Sequence, residues 1–228
     1  MSTSKEVDVA LLDDIDIPTC FKILSESFGH NAPFVNIYFP NHDTPSGQLQ
    51  GSNRLTAWKH TSQNSVFLKA ITPPDVNVTT TENIIGLAIW THMKDIPPQQ
   101  LEDAENVEEV WPDVNDRRFM AALWGDYVKP RTHAVRESRG KGAYVLELLA
   151  VHPDYQRLGA GAKLVSWGTK AADEAQIKAV VEGTPVAKRL YEKCGFRAEI
   201  ERMRFDAAEE FAERTKPQLI FLTREPLA

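Results

Sequence analysis

An apolar run, Leu146-Glu147-Leu148-Leu149-Ala150-Val151, passes through His152-Pro153-Asp154-Tyr155 into Gln156-Arg157-Leu158-Gly159-Ala160-Gly161-Ala162. The first run reads as a strand, Pro153 and Asp154 turn the chain, and Gly159 and Gly161 open a helix without side chains in the way. The first turn of a helix presents N–H groups that lack an intrahelical acceptor, with about half a positive charge, so a diphosphate suits such a junction. A plain tight turn with close helix packing would use the same glycines. Two other phosphate loops do not fit: no Gly-Lys-Ser/Thr follows, and the dinucleotide fingerprint needs a third glycine and an acid about 20 residues on. Neither a nucleophile elbow nor paired metal ligands occur, so no metal site is expected.

Together with Tyr191-Glu192-Lys193-Cys194-Gly195-Phe196 downstream, this run resembles the GNAT N-acetyltransferase superfamily. The signature of that family is Gln/Arg-x-x-Gly-x-Gly/Ala after a strand reading Leu-x-Val-x-Pro. The resemblance covers residues 143–205. It implies an α/β (α+β) fold with a mixed, mostly antiparallel sheet flanked by helices, splayed into a V between strands 4 and 5. It also implies acetyl-CoA as acyl donor, with the diphosphate on the backbone N–H groups of Gln156, Arg157, Leu158, Gly159, Ala160, Gly161 and Ala162. Backbone groups of Leu149, Ala150 and Val151 would pair with the pantetheine arm like an added strand. Thr184 stands where the family often has an asparagine that contacts this arm. Lys188 and Arg189 would steer a phosphate of the coenzyme, or be solvated surface.

Acyl transfer from a thioester needs proximity, a deprotonated acceptor and a proton for the leaving thiolate, with no covalent intermediate. Tyr191 is the candidate acid, the alternative being a half-buried ring beside Phe196. Glu147 is the first candidate base and Glu182 the second. An unpaired carboxylate in an apolar strand is costly to bury, so Glu147 must face water, a cation or the substrate cleft, or stand in a salt bridge. Strand parity puts Glu147 on the face of Leu149 and Val151 unless a bulge intervenes. His152 follows the strand and is expected to face solvent.

Several elements must position these groups. A strand at 7–12 precedes a helix at 17–28, which Asp16 and Pro18 start, Gly29 closes, and Ile17, Phe21, Leu24 and Phe28 stripe. Residues 31–51, rich in proline and aromatics, read as an irregular cap over the acceptor pocket, or a plug over the core. A helix at 53–63 leads to strands at 66–71 and 84–90, joined by a Pro-Pro turn with a threonine run. Residues 96–140 read as a helical insertion between the third and fourth strands, with a long helix through Phe119, Leu123, Trp124 and Tyr127. Strand 143–152, helix 159–175, strand 179–182, helix 185–194, strand 196–205 and strand 218–223 complete one domain over 1–228, with the cofactor core at about 143–205.

A net charge of −6 argues against a nucleic-acid or anionic-membrane coat. Cys20 and Cys194 lie far apart, and no apolar run nears the roughly 20 residues of a membrane span. A cytoplasmic protein is expected, with a homodimer allowed. Trp90, Trp111 and Trp124, with Phe34 and Tyr38, are candidates to line the acceptor pocket or fill the core. The acidic segment from Glu102 to Asp116 would attract a cationic amine or a basic peptide tail, or be a wet helix face. The best reading is an N-acetyltransferase acting on a primary amine of a small molecule. Acetylation of a protein lysine or N-terminal amine, and a non-catalytic acyl-CoA sensor, are the alternatives.

Overall fold

The computed structural model describes residues 6–29, 32–73 and 83–227. Seven strands form one sheet in the order β1-β2-β3-β4-β5-β7-β6. They are β1 Asp8–Leu11, β2 Ser65–Thr72, β3 Asn83–Met93, β4 Ala143–Val151, β5 Ala179–Gly183, β6 Arg197–Ile200 and β7 Ile220–Arg224. All neighbours are antiparallel except β4 and β5. Those two are parallel and register only at Tyr144↔Ala179 and Val145↔Val180, after which they part. This mixed, mostly antiparallel sheet opened between its fourth and fifth strands is the expected fold.

The helices are α1 Ile17–Phe28, α2 Pro33–Tyr38, α3 Pro45–Thr61, α4 Val107–Val110, α5 Val114–Glu137, α6 Ala160–Ala175 and α7 Lys188–Lys193. One sheet face carries α6 and α7, with Leu164 and Val165 packed beside Ile85, Trp90 and Leu146. The other face carries α1 over Leu87 and Ile89, and α5 over Val145, Val180 and Phe221.

The segment 31–51, expected to be irregular, is largely helical in its described part. Thr44 accepts from the Gly47 amide as an N-cap and Pro45 opens α3, eight residues before the expected start. Its glycines are packing devices: a Cβ on Gly51 would lie 1.9 Å from the Phe21 ring, so α3 approaches α1 only because none is there. The strand expected at 196–205 is only Arg197–Ile200, because β7 inserts between β5 and β6 and leaves β6 as a short edge. Beyond residue 73, the turn expected between β2 and β3 lies outside the described residues.

The packing of α6 sets the height of the loop that precedes it. Gly168 lies flat on the Trp90 indole, whose nearest atom would stand 2.0 Å from a Cβ at that position. Trp90 donates to the Leu164 carbonyl at 3.2 Å and is wholly buried, a core residue and not a pocket wall. Gly168→Val is expected to lower stability by about 2–3 kcal/mol through overpacking, read as a lower urea midpoint with unchanged slope.

Candidate active site

Where β4 and β5 diverge, a cleft of about 1880 Å³ runs between the start of α6 and the walls made by α2, α3 and the insertion. One end of it is the glycine junction. Gly159 takes φ +93° as the N-cap of α6, and Arg157 has φ +67°. The first helical hydrogen bond runs from the Lys163 amide to the Gly159 carbonyl. Among the described residues, the N–H groups of 157–162 therefore meet no protein acceptor. Residues 156–159 are exposed, and Gln156, Arg157, Gly159, Ala160, Gly161 and Ala162 line the cleft, while Leu158 does not. This row of free amides fits a diphosphate.

Leu149, Ala150 and Val151 line the same cleft, and among the described residues β4 has no strand partner on its β5 side beyond Val145. Ser27 donates its hydroxyl to the Val151 carbonyl at 2.8 Å and Gln156 donates to it at 3.3 Å, so that acceptor is already engaged. Thr184 lines the cleft and caps nothing with its side chain. Lys188 is not brought there: Glu201 holds its ammonium at 2.7 Å, an ion pair that raises the lysine's pKa. Arg189 is exposed outside the cleft. His152 faces Glu26 at 3.1 Å and accepts from the Asp154 amide.

Tyr191 lines the cleft and is buried against Phe196, with ring centroids 6.0 Å apart. Its ring lies over Gly183, where a Cβ would stand 2.5 Å from it. Burial, with a smaller contribution from the Cys194 thiol, pushes the phenol well above its ordinary pKa, so it holds its proton at neutral pH. Gly195, at φ +89°, closes α7 and aligns this tyrosine by returning the Phe196 amide to the Tyr191 carbonyl.

The β4 register slips at Glu147: Ile89 faces Leu148, Trp90 faces Leu146, and Glu147 has no partner. This bulge reverses the inside–outside phase of the strand. Leu146 packs on the α6 face, as do Leu149 and Val151 beyond the bulge, whereas Leu148 and Ala150 join the α1 core. Parity without the bulge puts Glu147 with Leu149 and Val151; instead it turns to α5.

There it meets Arg131, which sequence reasoning had not singled out. Arg131 donates to Glu147 Oε2 at 2.7 Å, to both oxygens of Glu182 at 2.5 and 3.1 Å, and to the Tyr127 hydroxyl at 2.9 Å. The side chains of Arg131, Glu147 and Glu182 are 5%, 11% and 0% exposed. Burial opposes the charge on Arg131, but the two carboxylates together outweigh it and raise its pKa. Burial pushes Glu182 up against the pull of Arg131. Burial likewise keeps the Tyr127 phenol protonated. One signal could have found Arg131: it continues the four-residue stripe Phe119, Leu123, Tyr127 on an apolar face, where a cation needs an anion.

Aromatic side chains from the insertion and α2 wall the rest. Phe34 and Tyr127 stand 4.3 Å apart, and Trp124 packs on Tyr127 at 5.8 Å. Arg54 on α3 pairs with Glu105 at 2.8 Å, and the Tyr38 hydroxyl donates to the same Glu105 oxygen. Trp111 is core, donating to the Ile37 carbonyl at 2.7 Å and outside the cleft lining. Within the acidic segment, Glu102, Asp103, Glu105 and Glu109 line the cleft, while Glu108 pairs with Arg117.

Residues 122–198 match the family model of the acetyltransferase (GNAT) domain. The chain carries a GNAT acetyltransferase domain. It is thus an acyltransferase, and the matched segment holds Arg131, Glu147, the α6 junction and Tyr191. No curated protein matches the sequence. Solved structures share the fold. One is a protein of Corynebacterium glutamicum described as histone acetyltransferase HPA2 and related acetyltransferase, at TM-score 0.59 and 15% identity, covering 97% of both chains. A second is mosquito arylalkylamine N-acetyltransferase like 5b, at TM-score 0.58 and 15% identity, covering 96% of this chain and 100% of that one. A third is an agmatine N-acetyltransferase, at TM-score 0.58 and 13% identity, covering 95% and 97%. Among the described residues, no helix is long and apolar enough to cross a membrane and no metal-binding group of side chains occurs.

Arg131→Met would leave two carboxylates in one apolar site, destabilising the acyltransferase by about 3–5 kcal/mol. Because the folded-state pKa of Glu182 already lies above its unfolded value, its contribution is present at low pH and lost as pH rises. Without Arg131 that loss must grow, so the variant's urea midpoint should fall further below wild type at pH 8 than at pH 5.

Proposed function

We propose that this protein transfers acetyl from acetyl-CoA to a primary amine of a small molecule by direct attack in a ternary complex. The observation that carries the reading is a single cleft joining the free amides of 157–162 to an aromatic acceptor chamber. That chamber is cross-linked above by Arg54–Glu105–Tyr38, by Trp111 to Ile37, and by Gln50 donating to the Glu109 carbonyl at 3.0 Å. A chamber tied across in this way favours a compact amine over a polypeptide segment, and two of the fold relatives carry small amines in their names. The C. glutamicum relative's description keeps protein acetylation as the second reading.

Family membership implies acetyl-CoA as the acyl donor, and the junction amides fit its diphosphate. Gln156, Arg157 and Gly159 to Ala162 would hold it by backbone N–H groups, with the open edge of Leu149 to Val151 along the pantetheine arm. Thr184 stands beside this arm. Tyr191 would give its proton to the coenzyme sulfur as the C–S bond breaks, and Glu147 would accept the proton that the amine loses as the C–N bond forms. Glu182 is enclosed and doubly bonded to Arg131, which favours Glu147 as the base. Both cysteines are free, which suits a cytoplasmic setting.

The decisive experiment mixes pure protein, acetyl-CoA and a panel of primary amines while following free thiol. Amine-dependent thiol release is expected, and coenzyme binding without release over any acceptor would favour a sensor. Tyr191→Phe should lower kcat by roughly 10²-fold with the acetyl-CoA KM little changed. Unchanged turnover would remove the acid role.

A further inference from the structure

The insertion helix α5 brings its own charge to the floor of the cleft. We propose that Arg131 is a positioning residue that fixes Glu147 Oε2, aims Glu147 Oε1 at the acceptor, and with Glu182 leaves one negative charge that selects a protonated amine. The inference deepens the amine-acetylation reading and rests on it.

The charge count carries the first half. Two carboxylates face one guanidinium, both oxygens of Glu182 accept from it in the manner of an ionised group, and Tyr127 is a neutral partner. No other cation touches either carboxylate among the described residues. One unit of negative charge thus stays enclosed, which water-poor surroundings make costly unless a cation arrives.

Geometry carries the second half. Arg131 uses only Oε2 of Glu147, and among the described residues Oε1 has no protein donor although the residue lines the cleft. The bulge denies Glu147 a cross-strand partner, so the guanidinium is what sets its direction. Phe34, Trp124 and Tyr127 line the same chamber and offer π faces to an alkylammonium. An amine would enter protonated, rest on Oε1 and pass its first proton through Oε1 to water in the cleft, leaving the carboxylate ionised to take the second proton as the C–N bond forms. Glu182 touches no ligand and acts through Arg131.

The test uses a series of tertiary amines, the N,N-dimethyl derivatives of straight-chain and phenylalkyl amines, each matched with the alcohol of the same skeleton. Such amines are cationic and keep one N–H, but form no stable amide. With coenzyme A present, calorimetry should show the best cation binding about ten- to a hundredfold tighter than its alcohol. Glu147→Gln and Glu182→Gln should each abolish most of that preference while the alcohol's affinity holds, although residue 182 is enclosed. Arg131→Lys, which keeps a charge but cannot grip both carboxylates as a fork, should raise the amine KM and lower kcat with the acetyl-CoA KM unchanged. A purely structural role would shift both substrates together. The proposal is overturned if no cation in the series binds tighter than its alcohol, or if the preference survives Glu147→Gln. Failure of the acetyltransferase reading is a separate result, namely no thiol release with any primary amine.

Discussion

The structure turns on the parting of β4 from β5. Parallel strands that register at two positions and then diverge leave the backbone edge of β4 from Leu146 to Val151 without a strand partner. Buried backbone groups need partners, so an edge exposed in the middle of a sheet is a place for something else to bind. Ser27 and Gln156 satisfy the last carbonyl of this edge, and the chain then turns at Pro153 into the free amides before α6. The same gap that opens the sheet therefore ends at the row of free amides before α6.

The bulge at Glu147 falls where the strands part, and the two features act together. Reversing the phase of β4 lets Leu149 and Val151 face α6 while Leu148 and Ala150 support α1. It also sends a carboxylate toward α5, a helix from the insertion. Replacing Arg131, Glu147 and Glu182 all together by apolar residues of similar volume should leave stability unaffected or improved, as buried ion pairs seldom repay their desolvation. Their retention at the floor of a cleft is better explained by orientation and charge than by stability.

Local signals made much of this legible. Gly159, Gly161 and the Tyr191-to-Phe196 run state their geometry in neighbouring residues, and the structure gives them the turns expected. Signals that depend on partners were harder to read. Pro45 and the glycines at 47 and 51 look like breakers until the packing is seen: the proline starts α3, Gly47 lies on the Asn41 backbone and Gly51 on the Phe21 ring of α1. Strand β6 is short because β7, distant in sequence, takes the inner position. Lys188 lies near enough in sequence to suggest a phosphate ligand, but Glu201 on the following segment claims it. Arg131 was hidden in a segment read only as an insertion, although its four-residue spacing from Tyr127 marked a charge on a buried face.

Backbone amides as the grip on an acyl carrier are the claim on which the rest depends. Hydrogen exchange at single-amide resolution, with and without coenzyme A, measures it directly. Slowed exchange at residues 157–162 and along 146–151, with little change on the remote edge strand β1, is the predicted result. Exchange at those amides that stays the same at saturating coenzyme A would contradict the account.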